Sequence, residues 1–125
     1  MNEDVFLVEH VDETLVVTPT SDLSELDFDR IQSSAEKVIR TFDRSSMRNV
    51  VLDLSRTTYH GSTALGFFVR LWKRVKTVGG NMVLCGLSHN EKEVLHVTRL
   101  DTLWPQRDTR DEALADVSSG NAGLS

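Results

Sequence analysis

The amino-acid sequence predicts an α/β fold: a β-hairpin opens the chain, helices and strands then alternate, and the helices pack on a mixed sheet. Three observations carry this. Two short runs rich in Val, Phe and Leu, residues 6–11 and 15–18, are separated only by the polar "DET", as in a hairpin. The apolar runs in "NVVLDLS" (49–55) and "NMVLCGL" (81–87) are continuous rather than alternating, the pattern of strands covered on both faces. Between them, apolar residues recur at three- and four-residue steps, the helical period.

In order along the chain, Pro19 ends the second hairpin strand because it lacks a backbone donor. Phe28, Ile31, Ala35, Val38, Ile39 and Phe42 form the buried face of a first helix, with Asp22 or Ser24 as its cap. Residues 49–55 are the central strand. A second helix runs from Ser62 to Val78, carries Lys73, Arg74 and Lys76 in its last turns and stops at Gly79 and Gly80; cations suit the negative end of the helix dipole and Gly suits the terminus. Residues 81–87 form another buried strand. Glu91 to Val97 is a short amphipathic helix with Val94, Leu95 and Val97 apolar. A short strand at Leu103 to Trp104 and a small helix from about Asp108 to Val117 complete one domain, residues 1–117. Crossovers between the parallel strands are expected to be right-handed. The tail 118–125, "SSGNAGLS", has little to bury and is expected to be disordered.

Composition bounds the function. A chain of 125 residues with 39% hydrophobic content fills one core. A formal charge of -5 argues against binding nucleic acid through a basic surface. The amino terminus, "MNEDVFLVEH", has no signal-peptide pattern, and no apolar stretch approaches the ~20 residues that span a bilayer. The single Cys85 excludes an internal disulfide and fits a reducing cytosol. A cytoplasmic protein without membrane insertion is expected.

The join between the central strand and the second helix, "YHGSTALG" at 59–66, carries adjacent hydroxyls at Ser62 and Thr63. On a helical wheel of about 100 degrees per residue, Ala64, Phe67, Phe68, Leu71, Val75 and Val78 form the core stripe, and Leu65, Val69 and Trp72 a neighbouring apolar arc. Thr63, Gly66, Arg70, Lys73 and Thr77 occupy the remaining face. Thr63 is thus expected to face solvent at the helix amino end, where free N–H groups and the dipole welcome an anion. The extra arc is either a docking surface, with Gly66 allowing close approach, or ordinary packing under a neighbouring element.

Enzymatic chemistry finds little support. His60 next to Ser62 suggests a base and a nucleophile, but the segment is not a G-x-S-x-G elbow and no orienting carboxylate is identifiable. It matches neither a dinucleotide fingerprint nor a P-loop, so no cofactor is expected. His10, His60, His89 and His96 are scattered singly, without metal-ligand spacing. Cys85 reads as a small core residue. Asp53, among apolar residues near a strand end, reads either as functional or as a carboxylate bonded to the following loop. Ser62 and Thr63 also suit an N-cap.

The segment "NVVLDLSRTTYHGSTALGFFVRLWKRVKTVGGNMVLCGLS", residues 49–88, resembles the STAS domain of bacterial anti-sigma factor antagonists. In that family a strand ending in "LDLS" leads to a D-S-[ST]-G-L-G-like motif, a helix, a "GG" turn and a strand; a weaker resemblance extends from about Val5 to Leu114. The resemblance implies a sheet of four or five strands with helices packed on it, and no catalytic machinery. It implies a partner, an anti-sigma factor that is a serine/threonine kinase of the histidine-kinase-like ATPase fold, and release of a sigma factor for transcription. Phosphorylation of the hydroxyl before "GLG" breaks the complex and a PP2C-type, metal-dependent phosphatase restores it. By position, the acceptor is Thr63 and its neighbour is Ser62. Binding is expected through Tyr59, His60 and Gly61 of the loop and Leu65, Gly66, Val69, Arg70 and Trp72 of the helix. Gly61 stands where the family has Asp, and Ala64 where it has Gly. Those departures leave a second reading open, a non-phosphorylated STAS subunit of a lipid-transport complex or stress-signalling assembly.

Overall fold

The computed structural model describes residues 5–20, 28–57 and 62–119, with the side chains of residues 62, 63 and 119 outside that description. The expected caps Asp22 and Ser24 and the tail beyond residue 119 lie outside the described residues.

The hairpin is formed by β1 (Phe6–Val11) and β2 (Thr14–Pro19), antiparallel, with Val11 opposite Thr14. Asp12 closes the turn at φ 53, a left-handed conformation that Asp tolerates better than most residues. Pro19 is the last residue of β2, as expected. After α1 (Phe28–Arg44) come β3 (Asn49–Asp53), α2 (Ser62–Thr77), β4 (Met82–Cys85), α3 (His89–Val97), a 3-10 turn (Leu100–Thr102), β5 (Gln106–Arg107) and α4 (Arg110–Ser119). The sheet order is β1-β2-β3-β4-β5, with β2 to β5 parallel, so β3 is central.

Alternation along the strands assigns the two faces. Phe6, Leu15, Val17, Val50, Leu52, Met82 and Leu84 point to the main core, which α1, α2 and α3 close with residues such as Ile31, Phe42, Phe67, Phe68, Leu71 and Leu95. Val16, Val51, Val83 and Cys85 point the other way, against Ala113 and Val117 of α4. A line of tilted and edge-on aromatic contacts crosses the main core: Phe6 to Phe67 at 4.9 Å, Phe67 to Phe68 at 5.7 Å and Phe68 to Trp104 at 6.5 Å between ring centres. The geometry is the favoured one for aromatic pairs.

Gly80 has a steric reason to be glycine. A Cβ there would lie 1.5 Å from the Arg48 carbonyl oxygen, so the α2–β4 turn passes directly over the chain that enters β3. The amides of Gly79 and Gly80 donate to Lys76 and Val75 carbonyls at 3.1 and 3.0 Å, satisfying the last turn of α2.

Several expectations are corrected. Phe28, expected on the buried face of α1, is its first residue and is 59% exposed, before the helix has turned its face onto the sheet at Ile31. The last strand is not at Leu103–Trp104: Leu103 lies in a turn, and Trp104 is buried as a loop residue against Phe68. The strand is Gln106–Arg107, polar in side chain, joined to Leu84 and Cys85 through backbone. Val78 does not join the core stripe; α2 closes at Thr77 and Val78 is 47% exposed. Val97 is likewise outside the core, 79% exposed at the end of α3, which buries Glu91 and Leu95. Finally, α3 starts at His89 rather than Glu91, because Ser88 caps it, and α4 continues past Val117 to Ser119.

Candidate functional site

The carboxyl ends of β3 and β4 meet the loop that leads into α2, and two carboxylates tie that loop down. Asp53, the last residue of β3, accepts a hydrogen bond from the Ser55 amide through Oδ1 at 3.0 Å. Its Oδ2 takes the Nε and Nη2 of Arg110, both at 3.0 Å. The same guanidinium reaches Glu9 Oε2 at 2.8 Å and Thr18 Oγ1 at 3.3 Å. Arg110 thus joins the first turn of α4 to β1, β2 and β3. Its guanidinium is held more firmly protonated than usual by these carboxylates, against the opposing effect of burial.

Beyond the loop, Thr57 is buried, and its hydroxyl donates to Glu91 Oε2 at 2.7 Å, with the Leu54 carbonyl a second acceptor at 3.2 Å. One hydroxyl has one proton, and the short contact to the carboxylate takes it. Glu91 Oε1 accepts from the Ser88 amide at 2.8 Å while Ser88 Oγ accepts from the Glu91 amide at 3.2 Å, a complete capping box. Glu91 is only 1% exposed, so a helix-capping carboxylate also serves as the anchor of a loop from another crossover. Gly86, at φ +70, lets β4 turn beside that loop; a Cβ there would stand 2.8 Å from Ser55 Cβ.

Burial alone would raise the Asp53 carboxyl, but hydrogen bonds from Ser55 and the contacts with Arg110 outweigh it and hold it below its ordinary value of 3.8. A depressed folded value stabilises the fold at any pH above 3.8, and that contribution disappears as pH falls through the folded value. The expected result is that the stability difference between wild type and Asp53→Asn, followed by urea unfolding, is constant near neutrality and shrinks only below about pH 4. Cys85, facing Asp53 across β3 and β4, has its thiol pushed up to about 12 by burial and by that carboxylate. It is a core residue, as its sequence context suggested, and too rarely ionised near neutral pH to be a nucleophile.

Of the candidate binding residues, Tyr59, His60 and Gly61 lie outside the described residues. Ser62 and Thr63 open α2, but the side-chain orientation expected for Thr63 falls outside the description. On the helix itself, Ala64, Phe67, Phe68, Leu71 and Val75 are buried as the wheel predicts. Leu65, Val69 and Trp72 are half-buried, packed by one side against the main core and open on the other. Gly66 is exposed, and a Cβ there would meet nothing within 4 Å. Arg70 pairs with Glu36 of α1 at 3.2 Å, so its charge is engaged within the domain. The first turn of α2 has no acidic residue, so no carboxylate of that turn offsets the positive end of its dipole. Among the described residues no cluster of His, Cys, Asp and Glu could hold a metal ion, and no helix is long and apolar enough to cross a membrane.

Sequence reasoning did not find Thr57, Glu91 or Arg110. The "SHNE" run at 88–91 is a readable capping-box signal, yet nothing local in the chain points from Glu91 to Thr57 or from Arg110 to Glu9.

The family model for the STAS domain matches residues 6–113. The chain belongs to the STAS domain family. Among curated relatives, this STAS domain is 34% identical over 68 residues to BtrV of Bordetella bronchiseptica, a protein named as an anti-sigma factor antagonist. That match spans 54% of the chain and 59% of BtrV, so just over half of the relative's length is covered. A Thermotoga maritima crystal structure, also named as an anti-sigma factor antagonist, superposes with TM-score 0.80 at 25% identity, over 90% of this STAS domain and 94% of that chain. SpoIIAA in its unphosphorylated form shares the fold at TM-score 0.75 and 19% identity, over 92% and 96% of the two chains. The mixed five-stranded sheet, the opening hairpin and the alternating helices are those of the STAS fold.

Proposed function

We propose that this STAS domain is an anti-sigma factor antagonist that binds a kinase-type anti-sigma factor through the 59–63 segment and the exposed side of α2, and that Thr63 is its phosphoacceptor, with Ser62 beside it. The observation that carries the reading is the outer side of α2. Gly66 is exposed with open space above it, and the apolar Leu65, Val69 and Trp72 each keep a free side beside it. A small residue flanked by half-buried apolar ones accepts close approach by another protein.

Regulation follows from charge. A phosphate brings about -1.5 to -2 charge and three acceptor oxygens. At the amino end of α2 it is compatible with the helix dipole and leaves the fold intact. Its effect falls on the partner through bulk and repulsion from an acidic surface, and a PP2C-type phosphatase reverses it. Incubation with the anti-sigma kinase and ATP, followed by mass spectrometry, is expected to place one phosphate on Thr63; phosphate elsewhere, or none, removes the switch.

A second reading is favoured by Gly61 and Ala64, which replace the Asp and Gly of the family motif: a STAS subunit of a lipid-transport complex or stress-signalling assembly that is never phosphorylated. Affinity purification separates the two, since a transport subunit brings down a permease and an ATPase.

A further inference from the structure

β1 is an edge strand, and we propose that it is a self-association surface, on which β1 of a second copy pairs antiparallel about a two-fold axis at Glu9 to give a ten-stranded sheet. The Thr20 amide donates to the Val5 carbonyl at 3.0 Å. With the register Leu7 to Thr18, Glu9 to Val16 and Val11 to Thr14, strict alternation directs the N–H and C=O of Leu7, Glu9 and Val11 toward β2. Those of Phe6, Val8 and His10 therefore face the open side, where the sheet has no further strand among the described residues. An unpaired edge of this kind is a template for another strand.

Side chains select the second copy as occupant and fix its register. On the face shared with α4, Leu7 is 43% and Val11 is 37% exposed, two apolar residues four apart with Glu9 midway. An axis at Glu9 sets Leu7 of each copy against Val11 of the other, so both exposed apolar groups are covered at once. The two Glu9 carboxylates then meet, each only partly offset by an Arg110 at 2.8 Å that it shares with Asp53, a repulsion that keeps the pairing weak. On the opposite face, a groove of about 200 Å³ runs between β1 and α1, with Phe6, Val8, Ser34, Lys37, Val38 and Thr41 along it. The same register brings the turn residue Asp12 of the second copy alongside Phe6, which lines the groove together with Lys37. Lys37 makes no ion pair with another described residue, so the charges are complementary. A pairing of six-residue strands is small beside standard interfaces, which fits a weak, concentration-dependent dimer.

Sedimentation velocity of the full chain across a concentration series is expected to show a monomer–dimer equilibrium. His10→Pro removes an outward N–H without touching the β1–β2 ladder and is expected to raise the dissociation constant at least about tenfold; Leu7→Lys, which keeps the backbone donors, does the same and covers the case in which the proline variant misfolds. Glu9→Cys is expected to form a disulfide-linked dimer on oxidation and His10→Cys is not. At the axis the Cα atoms of a non-hydrogen-bonded pair stand about 4.5 Å apart, within disulfide range, and buried Cys85 does not compete. A chain that stays monomeric throughout, a dimer indifferent to both His10→Pro and Leu7→Lys, or equal cross-linking at positions 9 and 10 overturns the proposal.

Discussion

Glu91→Ala lowers the stability of the domain by about 2–3 kcal/mol, because the substitution removes two buried interactions at once. The Ser88 amide loses its acceptor, which opens the capping box, and the Thr57 hydroxyl is left buried without its carboxylate. For a domain of this length that corresponds to a fall in Tm of about 10 °C. Thr57→Val isolates one strand of the argument: it breaks only the link to the loop and leaves the capping box in place. A loss of about 1–2 kcal/mol is expected, since the carboxylate oxygen keeps its burial but loses a donor. Chemical denaturation of both single variants and the double variant measures the coupling. Equal stability of wild type and Glu91→Ala would mean that water replaces the lost contacts and that the loop is not anchored there.

Gly66→Arg separates binding from folding. The side chain enters open space on the exposed side of α2, and replacing Gly by a good helix former inside a helix contributes about 1 kcal/mol of stability. The Tm therefore rises slightly. Affinity for the anti-sigma factor falls about a hundredfold, a change of about 2.8 kcal/mol, because a long cationic side chain stands where the proposal puts close approach. Gly66→Ala gains most of the helix stability at little cost in binding. Calorimetric titration of the three proteins decides the matter: unchanged affinity for Gly66→Arg places the docking surface on another part of the domain.

Most of the fold was legible because it rests on apolar periodicity. The continuous runs at 49–52 and 82–85 became the buried central strands, and the three- and four-residue steps became α1 and α2, whose expected buried faces hold except at Phe28, which opens α1 exposed, and Val78 beyond the end of α2. The misreadings arise where side-chain character and backbone role part company. β5 is two polar residues held by backbone pairing alone, whereas Trp104, the apolar residue nearby, fills the core from a loop. Val78 lies one residue past the end of α2, so the helical path that would carry it to the core has stopped, and Val97 is the last residue of α3. The polar clamps were not legible, since they join residues far apart in the chain: Arg110 to Asp53, Thr18 and Glu9, and Thr57 to Glu91. A carboxylate in a sequence announces a charge, but its partner is chosen by topology. Asp53 shows the case clearly, since its ambiguous context resolves into a bond to the next loop and an ion pair with α4.

The clamps also bear on function. Ser55 and Thr57 are both tied to buried or half-buried carboxylates, so the chain leaves β3 on a fixed path before it reaches the segment that carries the proposed acceptor. Preorganisation of this kind lowers the ordering cost of association.

The central claim is that a protein docks beside the amino end of α2 and that charge at Thr63 dislodges it. The most direct measurement is the Kd for the anti-sigma factor of the unmodified chain and of the same chain phosphorylated at Thr63, by calorimetry in one buffer. The account predicts weakening by about a hundredfold or more, with an unchanged Tm for the isolated domain. Equal affinities for the two forms would contradict it.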